Sequence, residues 1–472
     1  MEQYSVLVSI VIFGWLPVVM WIFWSMPTRR AIVAAFLLAW LFLPMAAYKV
    51  QGIPTYDKMS ATCCGVLLAA MVFDSKRLLN LSFFPSYVDI PMLVWCICPL
   101  ATVAATSNEG ALTFHDGLSW MFEQIISWAL PYLIGRIYFA DRSALRDLSV
   151  AIFVGGLVYV PLCLYEIRMS PQLHYMVYGF HQHSVGQQAR DNSFRPMVFM
   201  QHGLAVGMFM ITASIAGAML WRMGTLKRLW GFSVGWLLVP LIGTTILCRS
   251  WGATFLMFLG MVLLWICIRT RTSIALWILI LSPSVYVAAR TVFNWDAESS
   301  SSLLSTVADK ERQQSLMFRL ENEKSINART EKHDLWFGWG GYFRAFWVDT
   351  PEGKEVFTPD SLWISAFGTW GALGLGALLL LTFPILLLFL RLPRDSWRDP
   401  SMAGVLAFCA LLGLFQIDNM VNSMPNPIFL LGLGGLCGLA KGKRATIAKS
   451  TLETDYFVNQ AARRSLLAAE PA

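Results

Sequence analysis

Residues 4–24, YSVLVSIVIFGWLPVVMWIFW, contain no charged side chain, and twelve further stretches of the chain are built in much the same way. They read as 31–48, 60–73, 88–106, 119–138, 148–167, 198–221, 229–247, 253–268, 274–293, 361–390, 402–417 and 426–440. Roughly 20 apolar residues in a helix cross the hydrocarbon core of a bilayer. Backbone placed in hydrocarbon must satisfy its own N–H and C=O groups, which a helix does internally. The pattern therefore predicts an all-α, polytopic transmembrane helical bundle of about 13 spans. Only 14% of the residues are charged, against about 25% in soluble domains. The 20 Trp and 31 Phe suit lipid and its interfaces. The first run does not resemble a cleaved signal, because MEQY lacks the positive charge such signals carry. The nine Cys fall within or beside apolar runs, with no CxxC spacing, so neither a disulfide frame nor a thiolate zinc site is suggested.

The charges sort by side. MPTRR (26–30), DSKR (74–77), DRSALRD (141–147), RMGTLKR (222–228), RTRT (269–272), RLPRDSWR (391–398) and the tail from KGKR (441–444) are all basic. With thirteen spans these segments share one face, and cytoplasmic loops collect Lys and Arg. The N-terminus is thus expected outside and the tail inside. The net charge of +7 is accounted for by this sorting, which argues against a nucleic-acid partner. Five regions follow: N-terminal membrane helices (1–190), central membrane helices (191–293), an outer loop (294–360), C-terminal membrane helices (361–440) and a cytoplasmic tail (441–472). The outer loop is too long for a mere connection. Its Ser-rich start (Ser299 to Ser302, Ser305) reads as flexible, 309–332 as a helix outside the bilayer, and WFGWGGYF (336–343) as a Gly-aromatic turn.

Four polar stretches stand out on that outer side. Arg249 in CRSWGA lies between two apolar runs, where a charge is costly; its structural alternative is an arginine that snorkels to head groups. Arg319 in MFRLENEK is otherwise an ordinary solvated helix residue. FRPMVFMQHG (194–203) places Arg195 and His202 at the start of the seventh span, where a lone His is commonly a satisfied core residue. Asp360 in FTPDSLW sits at the lip of a long apolar run: Thr358 can cap, Pro359 suits a first turn, and a carboxylate there meets the helix dipole. That placement alone is also what a decorated helix start looks like. Glu123, Glu166 and Arg168 lie near outer span ends and are candidates to line a cavity. His181 and His183 make a weak metal motif without a nearby carboxylate or Cys. Neither a Walker A loop nor a dinucleotide glycine fingerprint is present.

In order and spacing, these residues resemble the bacterial O-antigen ligase and O-antigen polymerase superfamily. RLENEKSINARTEKHDLWFGWGGYF followed by TPDSLWISAFGTWGALGLG is similar to its signature region, with Arg319, Phe337-Gly338-Trp339-Gly340, Asp360-Ser361-Leu362-Trp363, Gly371 and Gly374 in corresponding places. CRSWGATF resembles its Ser-Arg-Gly segment, at Arg249, and RPMVFMQHGLAVG the opening of the span two before it. The resemblance covers about residues 190 to 385. Ligases of the superfamily usually carry His where Asp360 stands, whereas the polymerases vary there and include acids, so the resemblance points to a polymerase.

The resemblance implies glycan transfer, without metal or other cofactor, on the outer face of a bacterial inner membrane. The donor would be an oligosaccharide on undecaprenyl diphosphate and the acceptor a sugar hydroxyl, with other polysaccharide-assembly proteins as possible partners. Asp360, Arg319 and Arg249 are then the catalytic candidates; Arg195, His202, Gly338, Gly340 and Trp363 are the substrate-binding ones. The chemistry suits these residue types. A departing diphosphate needs fixed cations, arginine's planar fork fits phosphate oxygens, and a carboxylate can accept the acceptor's proton. Two alternatives stand beside this reading: a ligase proper, with a lipid A core as acceptor, and a flippase or exporter without chemistry, whose charges would sit nearer the midplane.

Overall fold

The structure, a computed structural model, describes residues 4–49, 54–80, 85–107, 112–190, 193–293, 295, 310–341, 343–350 and 353–441. The Ser-rich stretch at 299–305 and the tail beyond Lys441 lie outside the described residues. Helix makes up 76% of the described residues, with almost no sheet, as the apolar runs require.

The helices run in order α1 (Val6–Ser25), α2 (Thr28–Phe42), α3 (Lys58–Phe73), α4 (Ser75–Leu79), α5 (Ile90–Ala105), α6 (Phe114–Gln124), α7 (Leu130–Tyr138), α8 (Arg142–Met169) and α9 (Leu173–Tyr178). There follow α10 (Gly203–Arg222), α11 (Val234–Leu247), α12 (Trp251–Thr270), α13 (Ile274–Thr291), α14 (Lys310–His333), α15 (Leu362–Leu380), α16 (Phe383–Arg391), α17 (Ala403–Asp418) and α18 (Pro427–Lys441). The helix expected over 309–332 is α14.

Among the described residues, eight helical segments are long and apolar enough to cross a membrane: Val6–Ser25, Tyr87–Ala105, Arg142–Met169, Gly203–Arg222, Trp251–Thr270, Ile274–Thr291, Leu362–Arg391 and Pro400–Asp418. The expected thirteen are not reached at that length. The run at 31–48 stops as helix at Phe42, just before Pro44. The run at 229–247 opens with a tight hairpin at Trp230-Gly231, leaving α11 with 14 residues, about 21 Å at 1.5 Å per residue. The runs at 60–73 and 426–440 form helices of 16 and 15 residues. The run at 119–138 is split by a π-helical turn, Ile125–Ala129.

α10 and α17 form the centre: 89% and 83% of their apolar windows are buried. Helices that are apolar all round belong inside a bundle. In α1 and α13 only 33% is buried, and residues such as Trp21, Trp24, Ile278 and Val285 face outward, as lipid-facing positions do.

The basic segments gather at one end of the bundle. Arg29 pairs with Asp141 at 2.5 Å, Arg142 with Asp399 at 2.9 Å and Arg271 with Asp395 at 3.3 Å. Arg77 donates to the Ile137 carbonyl (3.2 Å), Thr225 to that of Pro400 (2.7 Å) and Arg391 to that of Ala440. The starts of α10, α12 and α15 and the ends of α8, α13 and α17 therefore lie at the other end, where the candidate residues are.

One span is broken to receive the loop before it. Within α15, Gly371 has φ 62° and ψ −161°, a conformation essentially confined to glycine. The break frees backbone groups, and the Gly-aromatic turn takes them. Trp339 and Gly340 donate their N–H groups to the carbonyls of Gly368 (3.0 Å) and Thr369 (2.9 Å). Ala372 and Leu373 donate to those of Leu335 (2.8 Å) and Trp336 (3.1 Å). Thr102 Oγ1 of α5 donates to the Phe337 carbonyl at 2.7 Å. Irregular backbone at such depth is tolerated where protein satisfies it.

Candidate functional site

Between Phe194 and α10 the chain is buried yet not helical: Met197, Val198 and Met200 are fully enclosed, and Val198 has φ 51°. Buried backbone needs partners, and three side chains from other elements supply them. Glu166 Oε2, at the end of α8, accepts from the N–H groups of Met197 (2.8 Å) and Val198 (2.7 Å), while Oε1 accepts from Leu173 (2.9 Å). Gln182 Nε2 donates to the Val198 and Met200 carbonyls at 3.1 and 3.2 Å. Lys58 Nζ, at the start of α3, donates to the Phe199 carbonyl at 3.3 Å and sits 4.8 Å over the Trp40 ring. Glu166 is thus a brace rather than a cavity lining, and Glu123 and Arg168 are exposed.

This held segment delivers the first group of candidates. Arg195 Nη2 donates to the Arg249 carbonyl at 3.3 Å, so the two arginines stand together across 54 residues of sequence. Arg249 occupies the turn into α12 with φ 49°. His202 caps α10: its Nδ1 accepts from the Leu204 N–H at 3.1 Å. Its Nε2 lies 3.1 Å from Gln188 Nε2.

The second group assembles at the α15 mouth. Arg319 Nε lies 3.4 Å from Asp360 Oδ2, with the side chains 27% and 32% exposed, open enough to meet a ligand. Arg319 Nη1 also donates to the Val421 carbonyl (3.1 Å) and to Asn422 Oδ1 (3.4 Å). Asp360 does not sit in the first turn of the helix. α15 starts at Leu362 with Ser361 as its N-cap position, and Thr358 does not cap it. The Leu362 N–H instead donates to the carbonyls of Asn419 (2.9 Å) and Asn422 (3.2 Å). The turn after α17 has replaced the local cap, and Arg319 holds Asp360 where the dipole was expected to.

One helical turn beyond Arg319, Glu323 is buried and saturated. Its Oε2 accepts from the Tyr286 hydroxyl (2.9 Å) and faces Arg290 Nε (3.8 Å). Its Oε1 accepts from Ser361 Oγ (3.1 Å) and Trp363 Nε1 (3.2 Å). Burial pushes its carboxyl above the ordinary carboxylate range, against the pull of these donors and of Arg290. Glu323 ties α13, α14 and α15 together directly beneath the Arg319–Asp360 pair. Trp363, expected to bind substrate, is fully buried and donates to Glu323, so it packs beneath the site rather than lining it.

The turn that follows α17 also reaches the neighbourhood of the first group: Gln201, next to His202, donates to Met424 Sδ at 3.6 Å, two residues beyond Asn422. Gly338 and Gly340 lie elsewhere, in the turn packed on the broken part of α15; there they shape the scaffold. A lateral groove of about 550 Å³ runs along α13 from Ser273 to Val285, and no candidate residue lines it. Among the described residues, no group of three or more His, Cys, Asp or Glu could hold a metal ion. Glu323, Asn422 and Asp418 are the site's members that the sequence did not single out. Only Glu323 had a local signal, its four-residue spacing from Arg319 on one helix face. Comparison with protein-family models and with curated protein sequences gives no match.

Proposed function

We propose that this protein is a membrane glycosyltransferase that moves a glycan from a polyprenyl-diphosphate carrier to a sugar hydroxyl, on the side of the membrane opposite the basic end. In a bacterial inner membrane that side is the periplasmic one, by the sorting of Lys and Arg. The carrying observation is the Arg319–Asp360 pair at 3.4 Å: a half-exposed acid and an arginine, brought together from an extramembrane helix and the mouth of an apolar one. Arg195 and Arg249 stand at the same end.

The chemistry follows from the residue types. The acceptor oxygen attacks the anomeric carbon of the donor sugar, and the bond from that carbon to the diphosphate oxygen breaks. The electron pair leaves with the diphosphate, whose growing charge the guanidinium groups offset. The proton of the acceptor hydroxyl passes to the Asp360 carboxylate. Chain polymerisation is the favoured form of this reaction because an acid stands where ligases carry His.

The test is to incubate the detergent-purified protein with a lipid-linked oligosaccharide and follow chain length and released polyprenyl diphosphate. Longer chains with stoichiometric release support the proposal. Binding of the lipid-linked glycan with neither product would remove the chemistry and leave the exporter alternative.

A further inference from the structure

We infer that Asp418 is a positioning residue of this site, holding Arg319 in place through Asn422. Asp418 ends α17, only 5% exposed. Its Oδ1 accepts from Asn422 Nδ2 at 2.7 Å, the shortest link in the chain that leads to the guanidinium. With its nitrogen committed to Asp418, the Asn422 amide must turn its oxygen the other way, towards Arg319 Nη1 at 3.4 Å. The backbone repeats the constraint. Val421 and Asn422 donate their N–H groups to the Asp418 carbonyl at 3.0 and 2.8 Å, which aims the Val421 carbonyl at Arg319.

Asp418 therefore sets which end of the Asn422 amide faces the arginine. Without it the amide is free to rotate, and a rotated amide would present N–H donors to a cation that has none to accept with. Arg319 would then be held by Asp360 and one carbonyl only, and a long side chain with fewer anchors samples more rotamers. The second oxygen, Oδ2, is buried with no hydrogen-bond partner among the described residues. A neutral amide at 418 can thus keep the Oδ1 role and puts a buried NH2, with two N–H donors, where Oδ2 has no partner. The role asks for an oxygen at Oδ1 rather than for charge, and that distinguishes positioning from ion pairing.

The test has two arms, and only the turnover arm rests on the proposed function. In the first, the full-length protein in detergent is treated with phenylglyoxal, and adduct formation at Arg319 is timed by peptide mass spectrometry. Asp418→Ala is expected to label about fivefold faster than wild type, the equivalent of one lost hydrogen bond of ordinary net strength, as suits the long 3.4 Å contact, and Asp418→Asn within about twofold of wild type. Asn422→Ala removes the same link from the other side and is expected to match Asp418→Ala, so it carries the test if the alanine at 418 does not fold. Equal labelling in all four proteins, or fast labelling in Asn422→Ala alone, overturns the inference.

In the second arm, glycan transfer is compared in Arg319→Lys, Asp418→Ala and the double variant. Positioning predicts that Asp418→Ala lowers kcat on its own and costs little further once Arg319 is replaced, because the two losses share one cause. Fully additive losses would overturn it. If the wild-type protein transfers no glycan, the proposed function falls and the labelling arm still decides.

Discussion

Replacing Gly371 by alanine tests whether the break in α15 is an enforced part of the architecture. A Cβ there would stand 2.5 Å from the Phe337 nitrogen and closer still to the Trp336 carbonyl, and both are backbone, which cannot swing aside. The conformation, φ 62° and ψ −161°, adds strain of order 1–3 kcal/mol for a residue with a side chain. Relieving the collision means withdrawing the turn, which breaks some of its four backbone hydrogen bonds to α15. Losing two of them at about 1 kcal/mol each brings the expected total to roughly 3–5 kcal/mol. Gly376, five residues on, has nothing within 4 Å of the same added atom. Alanine at 376 is expected to be neutral or to stabilise by up to about 1 kcal/mol, the helix-propensity gain. Thermal unfolding of both variants in one detergent, with wild type alongside, reads the contrast. Melting curves for Gly371→Ala and Gly376→Ala that coincide would refute the docked-turn account.

Asp360→Asn should fold normally and lower glycan transfer by roughly 100- to 10,000-fold, the range of a positioned base, with donor binding retained; Asp360→His should recover part of it. Wild-type turnover in the Asn variant, measured by chain length on gels, would leave Asp360 as a structural residue. Arg319→Lys and Arg249→Lys should each lose much of the activity, since Lys lacks the bidentate fork, and normal kinetics in both would remove them from the diphosphate site. His174 gives a pH prediction. Its Nδ1 faces the Phe180 carbonyl at 2.8 Å while Nε2 accepts from the Met45 N–H at 3.1 Å, and burial lowers its pKa to about 4. The unfolded chain therefore binds more protons between that value and about 6.5. This contribution is complete above about pH 6.5 and is lost as pH falls towards 4, up to roughly 3 kcal/mol. A pH-stability profile unchanged by His174→Asn would contradict it.

The apolar runs were legible because hydropathy is a local property, and all of them contain helix. Their lengths were less so: the hairpin at Trp230-Gly231 and the π turn in 125–129 cost no hydropathy and left no trace in it. At the site, Arg319 and Asp360 were found through an ordered pattern of motifs. Their contact depends on how an extramembrane helix docks on a membrane one, which spacing does not encode. The cap at 358 shows why local rules fail here. Thr358 is a sound N-cap in isolation, yet the carbonyls of Asn419 and Asn422 reach the Leu362 N–H first and move the helix start to Leu362. Asp418 and Asn422 were invisible for the same reason: nothing in DNMVN marks it as the partner of an arginine about one hundred residues earlier.

The braced segment at 197–202 has a consequence for biosynthesis. Lys58, Glu166 and Gln182, which satisfy its buried backbone, all precede it in the chain. On a ribosome working from the N-terminus, those partners are already synthesised when Met197 emerges, and domains and their parts generally fold in that order. Arg319 is in the opposite position, because Asp360, Val421 and Asn422 are all made later. The cationic half of the site can set during translation, whereas the half that carries the acid closes only after α17 has been delivered. A nascent chain stalled before residue 418 would hold its arginines at 195 and 249 in place and leave the one at 319 without its anchors at Val421 and Asn422.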